Sequence, residues 1–132
     1  MRQLFIFLCS FMALACNAKT YQTEILGKNY RTLQVGIEGH VFSLPVISLN
    51  SEDRILVSFD EMSRNPQDLA YSIIYCNADW TQSDIDKIEY MDGFDGIDIT
   101  DYEYARNTTF DYTHYELTIP NDEIKLNLSG NY

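Results

Sequence analysis

Apolar residues recur at every second position in several short runs, and no stretch carries a long helical period, so the chain is constrained to strands. Leu33, Val35 and Ile37 share one face with Thr32 and Gln34 on the other; Ile55, Val57 and Phe59 repeat the pattern, as do Tyr115, Leu117 and Ile119. Residues 42–49 predict a further strand, which Pro45 confines to an edge or a strand start. The polar turn at residues 50–53 would join it to residues 54–60 as a hairpin. Residues 69–76 give the strongest strand signal. Leu69, Tyr71, Ile73 and Tyr75 lie on one face and Ile74 and Cys76 on the other, which predicts a central strand buried on both sides. After a turn at Pro120-Asn121-Asp122, Ile124, Leu126 and Leu128 alternate with Lys125 and Asn127. Short strands with turn signals between them predict an all-β, immunoglobulin-like β-sandwich.

Between the strand signals at residues 69–76 and 113–119 lies a long segment rich in Gly, Asp, Asn, Ser and Tyr, which predicts an ordered loop. Its linking part, residues 77–111, is longer than connections in compact domains usually are, and loops of that length tend to bind or cap something. Residues 83–91 have room for one or two helical turns capped by Ser83. Tyr90, Phe94, Tyr102, Tyr104, Phe110, Tyr112 and Tyr115 crowd together here beside Trp80. Tyr and Trp join apolar area to a polar tip and are common at protein interfaces and in sugar-binding grooves. Part of this set is expected to pin the loop to the sandwich. Trp80, Tyr90, Phe94, Tyr102 and Tyr104 are the candidate partner-binding residues.

The formal net charge of −11, with no basic run, speaks against a nucleic-acid backbone or an anionic lipid surface as partner. Residues 1–18 read as a signal peptide: Arg2, then a short apolar run too brief to span a bilayer, then Ala13-Leu14-Ala15 before a cut. Cleavage before Cys16 would allow lipidation there, but Ala13 and Leu14 fit a lipobox poorly, so plain export without a lipid anchor is expected. Residues 19–132 then form the β domain. Cys76 is left alone in the body of the chain, with no internal disulfide to make, and is expected to be a buried small apolar residue.

Catalytic and metal signatures are missing. Asp92, Asp95, Asp98 and Asp101 recur every third residue among Gly93 and Gly96, which brings calcium to mind, yet the spacing is not that of an EF-hand and a solvated acidic loop is expected. His40 and His114 lie in different segments without zinc spacing, and His114 is expected at the surface. No nucleophile elbow, phosphate-binding loop or dinucleotide fingerprint occurs. The expectation is a protein that is not an enzyme and takes no cofactor.

Several uncommon words occur in order: residues 44–51 (LPVISLNS), 56–60 (LVSFD), 75–80 (YCNADW), 89–94 (EYMDGF), 107–109 (NTT), 112–115 (YTHY) and 117–122 (LTIPND). In these the chain resembles the first, N-terminal domain of type IX secretion system plug proteins of Bacteroidetes-type bacteria, formerly a domain of unknown function. The resemblance runs from about Tyr21 to Tyr132. It implies an exported protein at the periplasmic side of the outer membrane, where it closes the pore of a large β-barrel translocon. It implies no catalysis and no cofactor, and it suggests the N-terminal part of a longer protein. The words around Asp79, Trp80, Asp92, Gly93 and Phe94 would serve either the fold or the contact with the channel. The alternative is a carbohydrate-binding module of an exported bacterial protein, which the same aromatic crowding would suit.

Overall fold

The computed structural model describes residues 22–40, 42–63 and 65–132, so the signal-peptide reading and Cys16 lie outside the described residues. The fold is all-β, with antiparallel pairing throughout and a single helical turn among the described residues. β1 (Tyr30–Ile37), β2 (Ile55–Glu61), β7 (Thr113–Ile119) and β6 (Tyr102–Tyr104) make a four-stranded sheet in the order β1-β2-β7-β6. β3 (Ala70–Tyr71) pairs with β5 (Ile97–Asp98), and β4 (Met91–Asp92) with β8 (Lys125–Leu126), as two short ribbons. That turn, α1 (Lys87–Tyr90), leads directly into β4.

In the main sheet the alternation read from the sequence decides the faces. Phe59 stands opposite Tyr115, which stands opposite Tyr102. The rings form a row across all four strands: Tyr30 edge-on to Phe59 at 5.8 Å, Phe59 stacked on Tyr115 at 5.3 Å, and Tyr115 tilted against Tyr102 at 5.7 Å. Cross-strand aromatic pairs of this kind add to what area burial alone contributes. Tyr115 is fully buried, and its hydroxyl accepts from the Gln67 N–H at 2.7 Å and donates to the Gln67 carbonyl at 3.2 Å, tying the β2–β3 connection to the sheet. Burial, opposed by the Gln67 amide and reinforced by the Glu61 carboxylate, pushes the Tyr115 phenol up. Glu61 is itself buried and is satisfied by the Ser63 hydroxyl, while the buried Thr113 hydroxyl donates to the Ser63 carbonyl at 3.1 Å. The opposite face is polar: Asp60 stands opposite Arg31 and His114, and His114 Nδ1 lies 2.6 Å from Asp60.

A second apolar cluster lies outside the sheet: Ile73, Tyr90, Met91 and Ile124 are buried, with Tyr71, Tyr75, Leu126 and Tyr132 against them. Tyr75 stacks on Tyr90 at 5.5 Å, and Tyr132 meets both edge-on at 5.2 and 6.1 Å. Gly93 is demanded here, because at φ +138° a Cβ would come within 2.3 Å of the Glu123 carbonyl oxygen.

Two strand expectations are corrected. Residues 42–49 pair with nothing among the described residues; β1 itself takes the place beside β2 that the predicted hairpin would have filled. Residues 69–76 do not form a central strand. Ala70–Tyr71 pairs as a ribbon with β5 and Cys76 makes isolated bridges to Gln82 and Asn131, while the sheet's inner strands are β2 and β7. Tyr71, Ile73 and Tyr75 do turn to the apolar cluster, but Ile74 on the other face is 44% exposed and Cys76 is only half-buried. Further along, the segment's hydrogen bonds go to loop residues, such as Cys76 N–H to the Asn131 carbonyl and Ser83 N–H to the Tyr75 carbonyl. The helical turn begins at Lys87 after Asp86; Ser83 instead accepts from the Ile85 N–H in a local turn.

Candidate functional site

The segment 77–111 is not a free loop. It contributes α1, β4, β5 and β6, and its aromatic residues are held in different ways.

Trp80 sits at the apex of a self-bonded turn. Asn77 N–H donates to the Thr81 carbonyl at 2.8 Å, Trp80 N–H to the Asn77 carbonyl at 2.9 Å, and Asn77 Nδ2 to Thr81 Oγ1 at 3.0 Å. Asp79 Oδ1 accepts from both the hydroxyl and the N–H of Thr81, at 2.6 and 3.0 Å, and these bonds hold its carboxyl below the usual range. The word NADWT is thereby explained as an Asx-type turn. It holds Trp80 at φ +64°, a left-handed conformation that costs a non-glycine residue about 1–2 kcal/mol, with the side chain 41% exposed.

Phe94 follows Gly93 at the end of β4 and is 83% exposed. The ribbon below it is anchored by Asn127 Nδ2, which donates to Asp92 at 3.0 Å, and Asp95 beside it is paired with Lys87 at 2.7 Å. The Lys87 ammonium, followed by Ser72, holds the Asp95 carboxyl below its ordinary value.

Tyr102 and Tyr104 project from the same side of β6, with ring centroids 5.8 Å apart and exposures of 39% and 47%. Tyr102 also lids the buried Tyr115. Burial and the neighbouring Tyr102 push the Tyr104 phenol up.

Tyr90 is different from the other candidates and is corrected here. It is 5% exposed, lies inside the second cluster, and points its hydroxyl at the Ile73 carbonyl, 3.4 Å away, so it builds the core and presents nothing to a partner. Sequence reasoning also passed over the apolar residues Phe42, Leu44 and Val46, which are strongly exposed in the segment that does not pair. The signal was available, since residues 41–51 carry no charge in a chain where 22% of residues do.

The four aspartates between residues 92 and 101 are dispersed: Asp92 bonds Asn127, Asp95 pairs with Lys87, and Asp98 lies in β5. Among the described residues no group of three or more His, Cys, Asp or Glu is placed to hold a metal ion. No described helix is long and apolar enough to cross a membrane. What the arrangement offers is a set of exposed aromatic side chains on rigid supports in an acidic surface.

Residues 30–132 match the family described as type 9 secretion system plug protein 1st domain. No curated protein matches the chain. Among solved structures, the chain is similar to a hypothetical protein from Parabacteroides merdae ATCC 43184, determined by crystallography at 2.30 Å. The two share 41% sequence identity with a TM-score of 0.77, over 79% of this chain and 26% of that one.

Proposed function

Because the chain belongs to the type 9 secretion system plug protein family, as its first domain, we propose that it is a non-enzymatic element that closes an outer-membrane β-barrel translocon pore from the periplasmic side. The observation that carries this reading is the presentation of Trp80, Phe94, Tyr102 and Tyr104 on supported turns and an outer strand, while Tyr90 and Tyr115 are used for the core. A plug needs a rigid body with contact residues that protrude, and amphipathic aromatics bind at low entropic cost because their few torsions are already fixed. The acidic charge would keep the body soluble when it is not seated.

The test is an affinity pull-down from outer-membrane extracts of the source organism, with the tagged full-length protein as bait and mass spectrometry as readout. A very large β-barrel channel is expected, and its recovery should fall when Trp80→Ala and Phe94→Ala are combined in a variant that still folds. Recovery of glycans or glycan-handling proteins without a channel would overturn the plug reading in favour of a carbohydrate-binding module.

A further inference from the structure

The four-stranded sheet has two outer strands among the described residues, and they are finished differently. β1 is blunted. Its register slips between Arg31 and Gln34 around Thr32 at φ +55°, and at its other end the Ile37 N–H, which faces away from β2, is taken by Ser43 Oγ at 2.7 Å. Bulges and side-chain caps of this kind stop an edge from pairing with another chain. β6 carries neither. Ala105 N–H donates to the Tyr112 carbonyl at 3.0 Å and Glu116 N–H to the Asp101 carbonyl at 3.1 Å. Residues 101, 103 and 105 therefore turn their backbone groups to β7, and the alternate residues Tyr102 and Tyr104 turn theirs outward.

From this edge we infer that β6 is a docking strand for an extended, cationic segment of a partner protein, which pairs with the outward backbone of Tyr102 and Tyr104 and lies along their rings. Charge chooses this occupant. Between residues 98 and 116 the chain has Asp98, Asp101, Glu103, Asp111 and Glu116 against Arg106 as the one Lys or Arg. A second copy of the chain would bring the same carboxylates, with Glu103 near Glu103, and like charges across a strand pair are destabilising. A segment with Lys or Arg at alternate positions turns those residues to the face of Glu103 and its intervening apolar residues to the face of the Tyr102 and Tyr104 rings. Main-chain hydrogen bonds would then supply affinity, and side chains the selectivity. The inference rests on Tyr102 and Tyr104 facing a partner in the proposed plug, and it adds what they face.

A labelled short peptide alternating Lys and Val, titrated against the protein, tests it. A Glu-for-Lys peptide and a backbone N-methylated version serve as controls. The Lys-Val peptide is expected to bind and to slow hydrogen exchange at the Tyr102 and Tyr104 amides. Both controls are expected to bind at least about ten-fold more weakly, as is Tyr104→Pro, which removes an outward N–H at an edge position where proline is tolerated. Should Tyr104→Pro fail to fold by circular dichroism, Glu103→Lys gives the same comparison through charge. Equal binding of the acidic or N-methylated peptide, binding without slowed exchange at those two amides, or no binding of the Lys-Val peptide would each overturn the inference. Recovery of a translocon from membranes is a separate readout, so the plug reading and the docking strand fail independently.

Discussion

Asn121 spends every valence of its side chain. Its Nδ2 donates to the Tyr71 hydroxyl at 2.9 Å and the Thr118 carbonyl at 3.1 Å, and its Oδ1 accepts from the Glu123 and Ile124 N–H groups at 3.0 and 2.9 Å. It thereby joins the end of β7, the second cluster and the turn into β8. Asn121→Ala is expected to lower unfolding free energy by ~2–3 kcal/mol, since part-buried groups lose their partners; chemical denaturation measures it, and a change under ~0.5 kcal/mol would contradict this role. His114, expected at the surface, is half-buried and paired. Burial lowers its pKa, but Asp60 and then Glu116 outweigh that and hold it above the ordinary value. Because the folded-state value is the raised one, the stabilisation is complete below about pH 6.5 and is lost as pH rises through the folded value. The size expected is ~0.5 kcal/mol, that of a solvent-screened pair. Denaturation midpoints should therefore fall with rising pH more steeply in the unaltered protein than in His114→Gln; parallel profiles would remove the pair from the account.

At the scale of elements, burial separates residues that composition groups together. Tyr90→Ala is expected to cost about 3–5 kcal/mol, as large-to-small changes in a core do, whereas Phe94→Ala should stay within about 0.5 kcal/mol of the unaltered protein. Thermal melts of the two variants decide this, and similar losses would place Phe94 in the fold and not on the surface. β1, β2 and β7 were legible in the sequence because each alternates a largely apolar face with a largely polar one, and that alternation is what a sheet of this kind writes into its strands. Residues 69–76 and 42–49 alternate as well, but alternation records apolar faces and not hydrogen-bond partners. The first spends its apolar face on a loop-built cluster; the second exposes its own. The candidate site was legible as a list of aromatics and no further. Nothing in the order Glu89-Tyr90-Met91-Asp92-Gly93-Phe94 tells that a helical turn points Tyr90 inward while Gly93 turns Phe94 out.

For the molecule as a whole, twenty Asp and Glu against nine Lys and Arg mean that the folded state holds more repulsion than its ion pairs relieve. Added potassium chloride should raise the denaturation midpoint as it screens that repulsion over roughly 8–10 Å, and a midpoint that fell with salt would show the ion pairs to dominate. The two apolar regions also share a dependence on one stretch of chain. β7 fills the inner place between β2 and β6, while Ile124, Leu126, Tyr132 and the Asn131 carbonyl complete the cluster around Tyr90. Until residues 113–132 are present, β1 and β2 are a lone pair of strands, which is marginal in water, and Tyr75 and Tyr90 lack the ring that meets them both. In a polypeptide released N-terminus first from a ribosome or a membrane pore, residues 30–112 thus have little to commit to until residues 113–132 are out. For this domain the clock of folding is then delivery of that stretch, and what precedes it waits as thread.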